Sequence, residues 1–369
     1  VKKLRNGITT GTCAAAAAKA AVLALVGNEQ PESVEVVLPG GEILPVVIAW
    51  VSRRDDLLSC RAAVIKDGGD DPDITHGLEI VAEVKFIPSG FILHGGNGVG
   101  RVTKPGLQIP VGDAAINPVP RMMIEDAVKT VLPEGQGVEV TIHVPGGEQA
   151  AQRTLNPKLG IVGGISILGT SGIVKPMSEE AFKNSLTPQI DVAVAHGYNT
   201  LVLTPGRIGE KVAVEKYSLP SQAVVQMSNF VGFMLEACVT RGIKKVLLWG
   251  HHSKLAKVAG GTFDTHNRVG DGRLEVLAAH AALAGADSGI VQDILLANTA
   301  DEAAGVILRN RLEQVFNSVA LRASQRAKDY VYQQLEVGTV LVTMEGTILG
   351  LDGQARVIGG ELGWKDPFI

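Results

Sequence analysis

GIVGGISILGTSGIVKPMS, residues 160–178, holds a short apolar run, Ile165 to Leu168, bounded by glycines. Such a run suits a buried strand. Gly169, Thr170, Ser171 and Gly172 then make a turn rich in backbone donors and hydroxyls. Ser178 stands where it can cap a helix opening with Glu179 and Glu180, because acids in a first turn are stabilised by the positive end of the helix dipole. The stretch reads as strand, polar glycine loop, helix. A loop of that kind, at the carboxyl end of a strand in an open α/β sheet, is a favoured seat for a nucleotide-like ligand. It is not the dinucleotide fingerprint, since Lys175 and Pro176 interrupt the run into a helix. A tight turn that binds nothing stays open as the alternative.

Working outward toward the carboxyl terminus, strands and helices alternate. A helix begins at Thr187-Pro188, a strand covers Thr200 to Leu203, an amphipathic helix is expected from about Leu219 to Arg241 with Gly242 as its stop, and Lys245 to Trp249 is again a strand. That alternation argues for a parallel sheet in a Rossmann-like three-layer α/β domain. Its strand-end loops, Gly169 to Gly172, TPGRIGE from Thr204 to Glu210 and Gly250-His251-His252-Ser253-Lys254, should converge on one sheet edge. His251 and His252 are adjacent, and no carboxylate or cysteine follows at a ligand spacing, so no protein metal site is expected. Lys254 and Lys257 either pair with anions or are solvated. The loop GTFDTHNRVGDGRLE, 261–275, adds Arg268, and a terminal hairpin is expected from Val340 to Met344 and Ile348 to Leu351 around Glu345-Gly346.

Toward the amino terminus, Thr9-Thr10-Gly11-Thr12 precede an alanine helix expected from about Cys13 to Val26, stopped by Gly27. Its first N–H groups either hold a carboxylate or are capped by Thr10 or Thr12. Cys13 reads as a packed thiol. Gly40-Gly41 signal a hairpin. In KDGGDDPDITHG, 66–77, clustered aspartates favour Asx turns, with Asp70 or Asp71 as catalytic carboxylates the second reading. HGGNGVGRVTKPG, 94–106, offers close backbone approach, with Arg101 and Lys104 adjacent. Arg121 falls in the first turn of a helix from about Pro120 to Val131, where a cation gains nothing from the dipole and so hints at an anionic ligand. With a strand from Val138 to Val144, residues 1–157 form an α+β sandwich domain, and 158–369 the Rossmann-like one.

The composition is compatible. In 369 residues, 46% hydrophobic and 4% aromatic with 44 glycines, an α/β enzyme built on small side chains is the natural expectation. The net charge of -4 provides no global attraction for nucleic acid or membranes. Cys13, Cys60 and Cys238 are too scattered for a metal motif or a disulfide framework, which fits a reducing cytoplasm. Val1 to Gly7 is too polar for a signal peptide, and no run approaches the roughly 20 apolar residues of a membrane span.

GITTGTCAAAAAKAA, KDGGDDPDITHG, GGNGVGRVTKPGLQIPVGDAAINPVPR, GISILGTSGIVKPMS, LTPGRIGE and GHHSKLAK with GGTFDTHNRVGDGRLE together resemble the CbiD family, in order from Arg5 to about His280. Departures are Asn6, where Thr or Ser is expected, and His252-Ser253, where an apolar residue and Gly are usual. The resemblance implies methyl transfer from S-adenosylmethionine to ring carbon C-1 of cobalt-precorrin-5B in anaerobic cobalamin biosynthesis. It implies that cobalt arrives only inside the tetrapyrrole. Gly169, Thr170, Ser171, Gly172, Thr204, Gly206 and Gly250 are then expected around the donor. The tetrapyrrole carboxylates would meet Thr10, Thr12, Arg101, Lys104, Arg121, Arg207 and Arg268, with Arg5 a further cation. Asp70, Asp71 and His251 are the candidate bases. A nicotinamide-dependent oxidoreductase and a tetrapyrrole carrier without catalysis are the competing readings, and the oligomeric state is left open.

Overall fold

The computed structural model describes residues 4–27, 30–53 and 59–364, and it divides into two compact units, Val1–Glu179 and Glu180–Ile369. Among the described residues no helix is long and apolar enough to cross a membrane.

The first unit is built around α1 (Thr10–Val26), which is buried on nearly every side. A helix that is apolar all round must be enclosed, and alanine, the best helix former and the smallest side chain with a Cβ, lets neighbours approach on every face. It packs on β4 (Ser59–Ile65) and β5 (Glu79–Ile87) of a sheet, on the β1–β2 hairpin (Ser33–Val37, Ile43–Val47) through β1, and on α2 (Pro118–Lys129). The hairpin turns at Gly40-Gly41 as the sequence signals. With β3 (Trp50–Arg53), β6 (Phe91–Gly95) and β7 (Gly137–His143), the sheet order is β3-β4-β5-β7-β6. All its pairs are antiparallel except β7 with β6, whose crossover carries α2. Val138, Val140 and Ile142 of β7 are buried while alternate positions are half-buried, the period of a strand with one face on a core. Residues 54–58, within the expected strand region, lie outside the described residues.

The expected domain boundary at 157/158 is displaced to Glu179/Glu180. Gly164–Ile165 pairs parallel with Gly98–Val99, Ile161–Val162 antiparallel with Arg101–Val102, and Ile173–Val174 antiparallel with Gly7–Ile8. Ile165 and Ile167 join the core around α1. The apolar run read as the first strand of a parallel sheet therefore finds its partners in the first unit. These ladders need bare backbone: a Cβ on Gly98 would strike the Val144 carbonyl, and one on Gly147 or Gly164 would strike that of Gly98.

In the second unit, β8 (Thr200–Thr204), β9 (Val224–Gln226), β10 (Lys245–His251), β11 (Glu336–Val342) and β12 (Ile348–Leu351) form one sheet in the order β9-β8-β10-β11-β12. The first four are parallel and β12 is antiparallel. Every residue of β8 is buried, as a parallel strand covered on both faces requires. The helices include α3 (Glu179–Leu186), which begins where the sequence puts it, α4 (Pro188–Ala195) and α5 (Val231–Thr240). Then come α6 (His252–Ala259), α7 (Arg273–Leu283), α8 (Ser288–Leu295), α9 (Ala300–Arg309), α10 (Gln314–Tyr330) and α11 (Gly353–Glu361). The single helix expected over 219–241 is instead β9 followed by α5. Val224 and Val225, β-branched, pair with Val202 and Leu203, so sheet register overrides the helical period. The chain also continues past the terminal hairpin into α11, whose Ala355 and Ile358 cover Trp249 and Val340.

Gly98 combines a φ of +75° with no room for a side chain, whereas Gly90 has a φ of +85° in open space. Both Gly→Ala variants carry the left-handed backbone penalty of roughly 1–3 kcal/mol. Gly98→Ala is expected to lose clearly more in thermal melting than Gly90→Ala, because Val144 must also move. Equal losses would mean that the packing of Gly98 contributes nothing.

Candidate functional site

The carboxyl ends of β8, β10 and β11 define one edge of the second unit. Thr204, at the end of β8, is fully buried, and its Oγ1 has no hydrogen-bond partner among the described residues. Pro205 lies against Gly250 so closely that a Cβ there would come within 2.8 Å of Pro205 Cδ. Gly206 is extended, with a φ of 178°, and leads into a short helix from Arg207 to Lys211. In the turn after β11, the Gly346 carbonyl accepts from Lys216 Nζ and from Tyr217 Oη, each at 2.9 Å. Thr204, Gly206 and Gly250 are thus brought together.

His251 ends β10 and His252 begins α6, with no loop between. At this corner both imidazoles turn toward Asp301 of α9: His252 Nε2 lies 2.9 Å and His251 Nε2 3.2 Å from its Oδ1. Burial pushes His252 down to about 4, so its ring is neutral near pH 7. Burial opposes the charge of Asp301, but the His252 hydrogen bond and both imidazoles outweigh it and hold the carboxyl below its usual range. Adjacent histidines were expected to diverge and to lack a carboxylate. The abrupt change from strand to helix lets them converge, and the carboxylate arrives from a helix 49 residues later, where local spacing gives no signal. Glu345, also unforeseen, is held below the usual carboxylate range mainly by hydrogen bonds from its own backbone and Thr343, with the charges of Asp301 and His251 smaller influences of opposite sign.

Lys254 bonds Asn229 Oδ1, and buried Lys257 bonds the Thr265 carbonyl at 3.3 Å and Asn267 Oδ1 at 2.7 Å, so these lysines brace the chain. Arg268 is exposed on the loop that Lys257 holds.

The remaining predicted residues lie in the first unit. Gly169, Thr170, Ser171 and Gly172 fold against the start of α1, so two of the three strand-end loops share the parallel sheet and the third does not belong to it. Thr10 Oγ1 accepts from Leu168 N at 2.8 Å, Thr12 Oγ1 donates to the Gly172 carbonyl at 2.7 Å, and Gly11 N donates to the Leu168 carbonyl at 2.9 Å. Thr9 Oγ1 caps Thr12 N at 3.2 Å. The N–H groups of Gly11, Thr12 and Cys13 at the start of α1 are therefore satisfied by the chain itself. Gly169, with a φ of +142°, is glycine because a Cβ would strike the Thr9 hydroxyl. Ser171 Oγ donates to the Ile173 carbonyl at 3.1 Å, and Thr170 is exposed. Burial pushes the Cys13 thiol up to about 12, consistent with a packed cysteine.

Asp70 accepts from Arg5 N at 2.7 Å and Asp71 from Met177 N at 2.9 Å. Asp67 and Asp73 make the expected Asx turns, accepting from Gly69 N at 2.9 Å and Thr75 N at 2.7 Å. His76 Nδ1 accepts from Gly68 N at 3.0 Å. Arg101 bonds the Gly112 carbonyl, Lys104 Nζ donates to the Lys158 carbonyl at 3.2 Å, and Arg121 is exposed on α2.

Comparison with known families then decides the kinship. The CbiD profile matches residues 1–176, and the profile for the CbiD C-terminal domain matches 264–353. A cobalt-precorrin-5B C(1)-methyltransferase of Moorella thermoacetica is 54% identical over 99% of both chains. The chain belongs to the CbiD family. A second relative of the same name, from Desulfitobacterium hafniense, is 51% identical over 98% of this chain and 93% of its own. A crystal structure of the cobalamin biosynthesis protein cbiD from Archaeoglobus fulgidus is 28% identical, covers 72% of this chain and 83% of that one, and gives a TM-score of 0.38. The first CbiD match ends at 176, close to the boundary between the two units.

In this CbiD chain the acidic loop is also an acid-sensitive clamp. The hydrogen bond from Arg5 holds Asp67 down to about 2. An unfolded aspartate titrates near about 3.9, so the contribution of Asp67 is complete above that pH and is lost as pH falls toward the folded value. Asp67→Asn should therefore flatten the loss of stability between pH ~4 and ~2 in urea titrations. Identical wild-type and variant profiles would remove the clamp.

Proposed function

We propose that this chain transfers a methyl group from S-adenosylmethionine to ring carbon C-1 of cobalt-precorrin-5B in cobalamin biosynthesis. The observation that carries the reading is the 54% identity over 99% of both chains to a relative bearing that activity in its name. The donor's sulfonium supplies an already activated methyl group, so the protein's task is alignment of carbon, methyl and sulfur, and orientation can account for ~7–11 kcal/mol of barrier lowering.

We assign the donor to Thr204, Gly206 and Gly250 at the edge of the parallel sheet, in a unit we read as Rossmann-like. Supporting the fit are the buried, unpartnered Thr204 hydroxyl, which needs an acceptor or donor, and the missing side chain at Gly250. In the first unit, read as an α+β sandwich, Arg101, Lys104 and Arg121 are the candidates for binding carboxylates; within the second unit, taken by itself, the candidates are Arg207 and Arg268. The hydroxyls of Thr10 and Thr12 support this surface indirectly, by fixing the turn Gly169 to Gly172. Cobalt enters as part of the substrate. Of the candidate bases, Asp70 and Asp71 hold backbone N–H groups, which leaves the cluster around His251 as the place where a proton from the rearranging macrocycle is received.

Gly250→Val should weaken S-adenosylmethionine binding at least about tenfold by calorimetry, since a β-branched side chain must displace Pro205 and reshape the edge. Gly169→Val should lower the melting temperature through Thr9 while leaving donor affinity unchanged. The reverse pattern would move the donor to the Gly169 loop, and binding of NADH in place of the donor would favour an oxidoreductase.

Arg121→Ala removes one charge-assisted contact to a carboxylate, a loss of about 1.5–3 kcal/mol or roughly 10- to 150-fold in the tetrapyrrole Kd. Donor affinity should not change. A tetrapyrrole titration with less than threefold weakening would exclude Arg121 from the substrate surface.

A further inference from the structure

We propose that His251, His252 and Asp301 form a binding site for a divalent first-row cation, held by two imidazole Nε2 atoms and one carboxylate oxygen. The three ligand atoms lie within 4.8 Å of one another. The two distances to Asp301 Oδ1 are 2.9 and 3.2 Å. In a tetrahedral zinc site with bonds of about 2.0–2.1 Å, neighbouring ligand atoms stand roughly 3.3 Å apart, so the two contacts to Asp301 need only a slight expansion to admit an ion, while the two nitrogens, at most 4.8 Å apart, close by no more than about 1.5 Å.

Two further observations favour an ion over a simple hydrogen-bonded trio. His251 Nε2 is buried and 3.2 Å from Asp301 Oδ1, and it has no other hydrogen-bond partner among the described residues. His252 is fully buried, its ring is 4.3 Å from that of His251, and its Nε2 lies 2.9 Å from the same carboxylate oxygen. The carboxylate side is open, with Asp301 63% exposed, which gives an entry path and a free fourth position for water. An ion on Nε2 puts the remaining ring proton of His251 on Nδ1, at the expense of the long 3.4 Å contact from Ser253 N.

Two nitrogens and one oxygen suit zinc, nickel or cobalt(II) rather than calcium or magnesium, which prefer oxygen. A water on the open position of such an ion is acidified and becomes a proton acceptor near neutral pH. Within the methyl-transfer reading, and only there, that water would take over the role assigned to the His251 cluster. Ion binding itself is measured without donor or tetrapyrrole, so either idea can fail alone.

The test uses the untagged full-length chain, stripped with EDTA, titrated with Zn2+ by calorimetry and with Co2+ by visible absorption. One ion per chain is expected, with the intense visible bands of four-coordinate cobalt. Asp301→Asn and His252→Leu should each weaken Zn2+ at least about tenfold, since losing even an outer partner of a ligand costs that much. His266→Ala, an exposed histidine of the same unit, should bind like wild type. Absence of binding, or equal affinity in wild type and Asp301→Asn, overturns the site and leaves the trio as a hydrogen-bonded cluster. Asp301 is largely exposed, so that variant decides the matter even if His252→Leu fails to fold.

Discussion

The first unit depends on how the amino-terminal end of α1 is closed. Two threonine hydroxyls, of Thr10 and Thr12, and the N–H groups of Thr9 and Gly11 are satisfied by the segment from Leu168 to Gly172, with Thr12 reaching Gly172 at 2.7 Å across 160 residues of sequence. An all-buried helix leaves its first N–H groups with no water to turn to, and each one left unpaired would cost about 1–3 kcal/mol. The loop from Leu168 to Gly172 completes that end, and the glycines at 169 and 172 are there because Thr9, Thr12 and Leu38 occupy the space a side chain would need.

That closure separates what the sequence discloses from what it hides. Composition marks α1 as buried, the Gly40-Gly41 hairpin and the aspartate turns follow from local chemistry, and the alternation after Thr187 discloses a parallel sheet. ILGTSG, by contrast, satisfies both the pattern of a strand entering a ligand loop and that of a segment capping a distant helix. Only the segment with which the run pairs distinguishes them. The same ambiguity explains 219–241, where apolar spacing suits a helix but Val224 and Val225 are held by Val202 and Leu203.

The site was legible to a similar degree. Thr204, Gly206 and Gly250 follow from the rule that loops at the carboxyl ends of parallel strands meet. The cluster at His251 does not, because its carboxylate comes from another helix and because two adjacent histidines converge only where a strand becomes a helix within one residue. Arginine placement was the least informative feature: Arg5 binds the Asp67 carboxylate, a task a sequence does not distinguish from ligand binding.

The pairing of Gly7–Ile8 with Ile173–Val174 has a further consequence during synthesis. A ribosome adds about 5–20 residues per second, so a segment 160 residues downstream follows by roughly 10–30 seconds. For that interval α1 lacks the strand and cap that finish its unit, and the sheet it packs on is itself incomplete until Gly137–His143 has emerged. The nascent chain must carry an open-ended, alanine-rich helix until almost half of its length has emerged, and the closing contacts are among the slowest kind to find, since loop closure over such a separation precedes any gain from them.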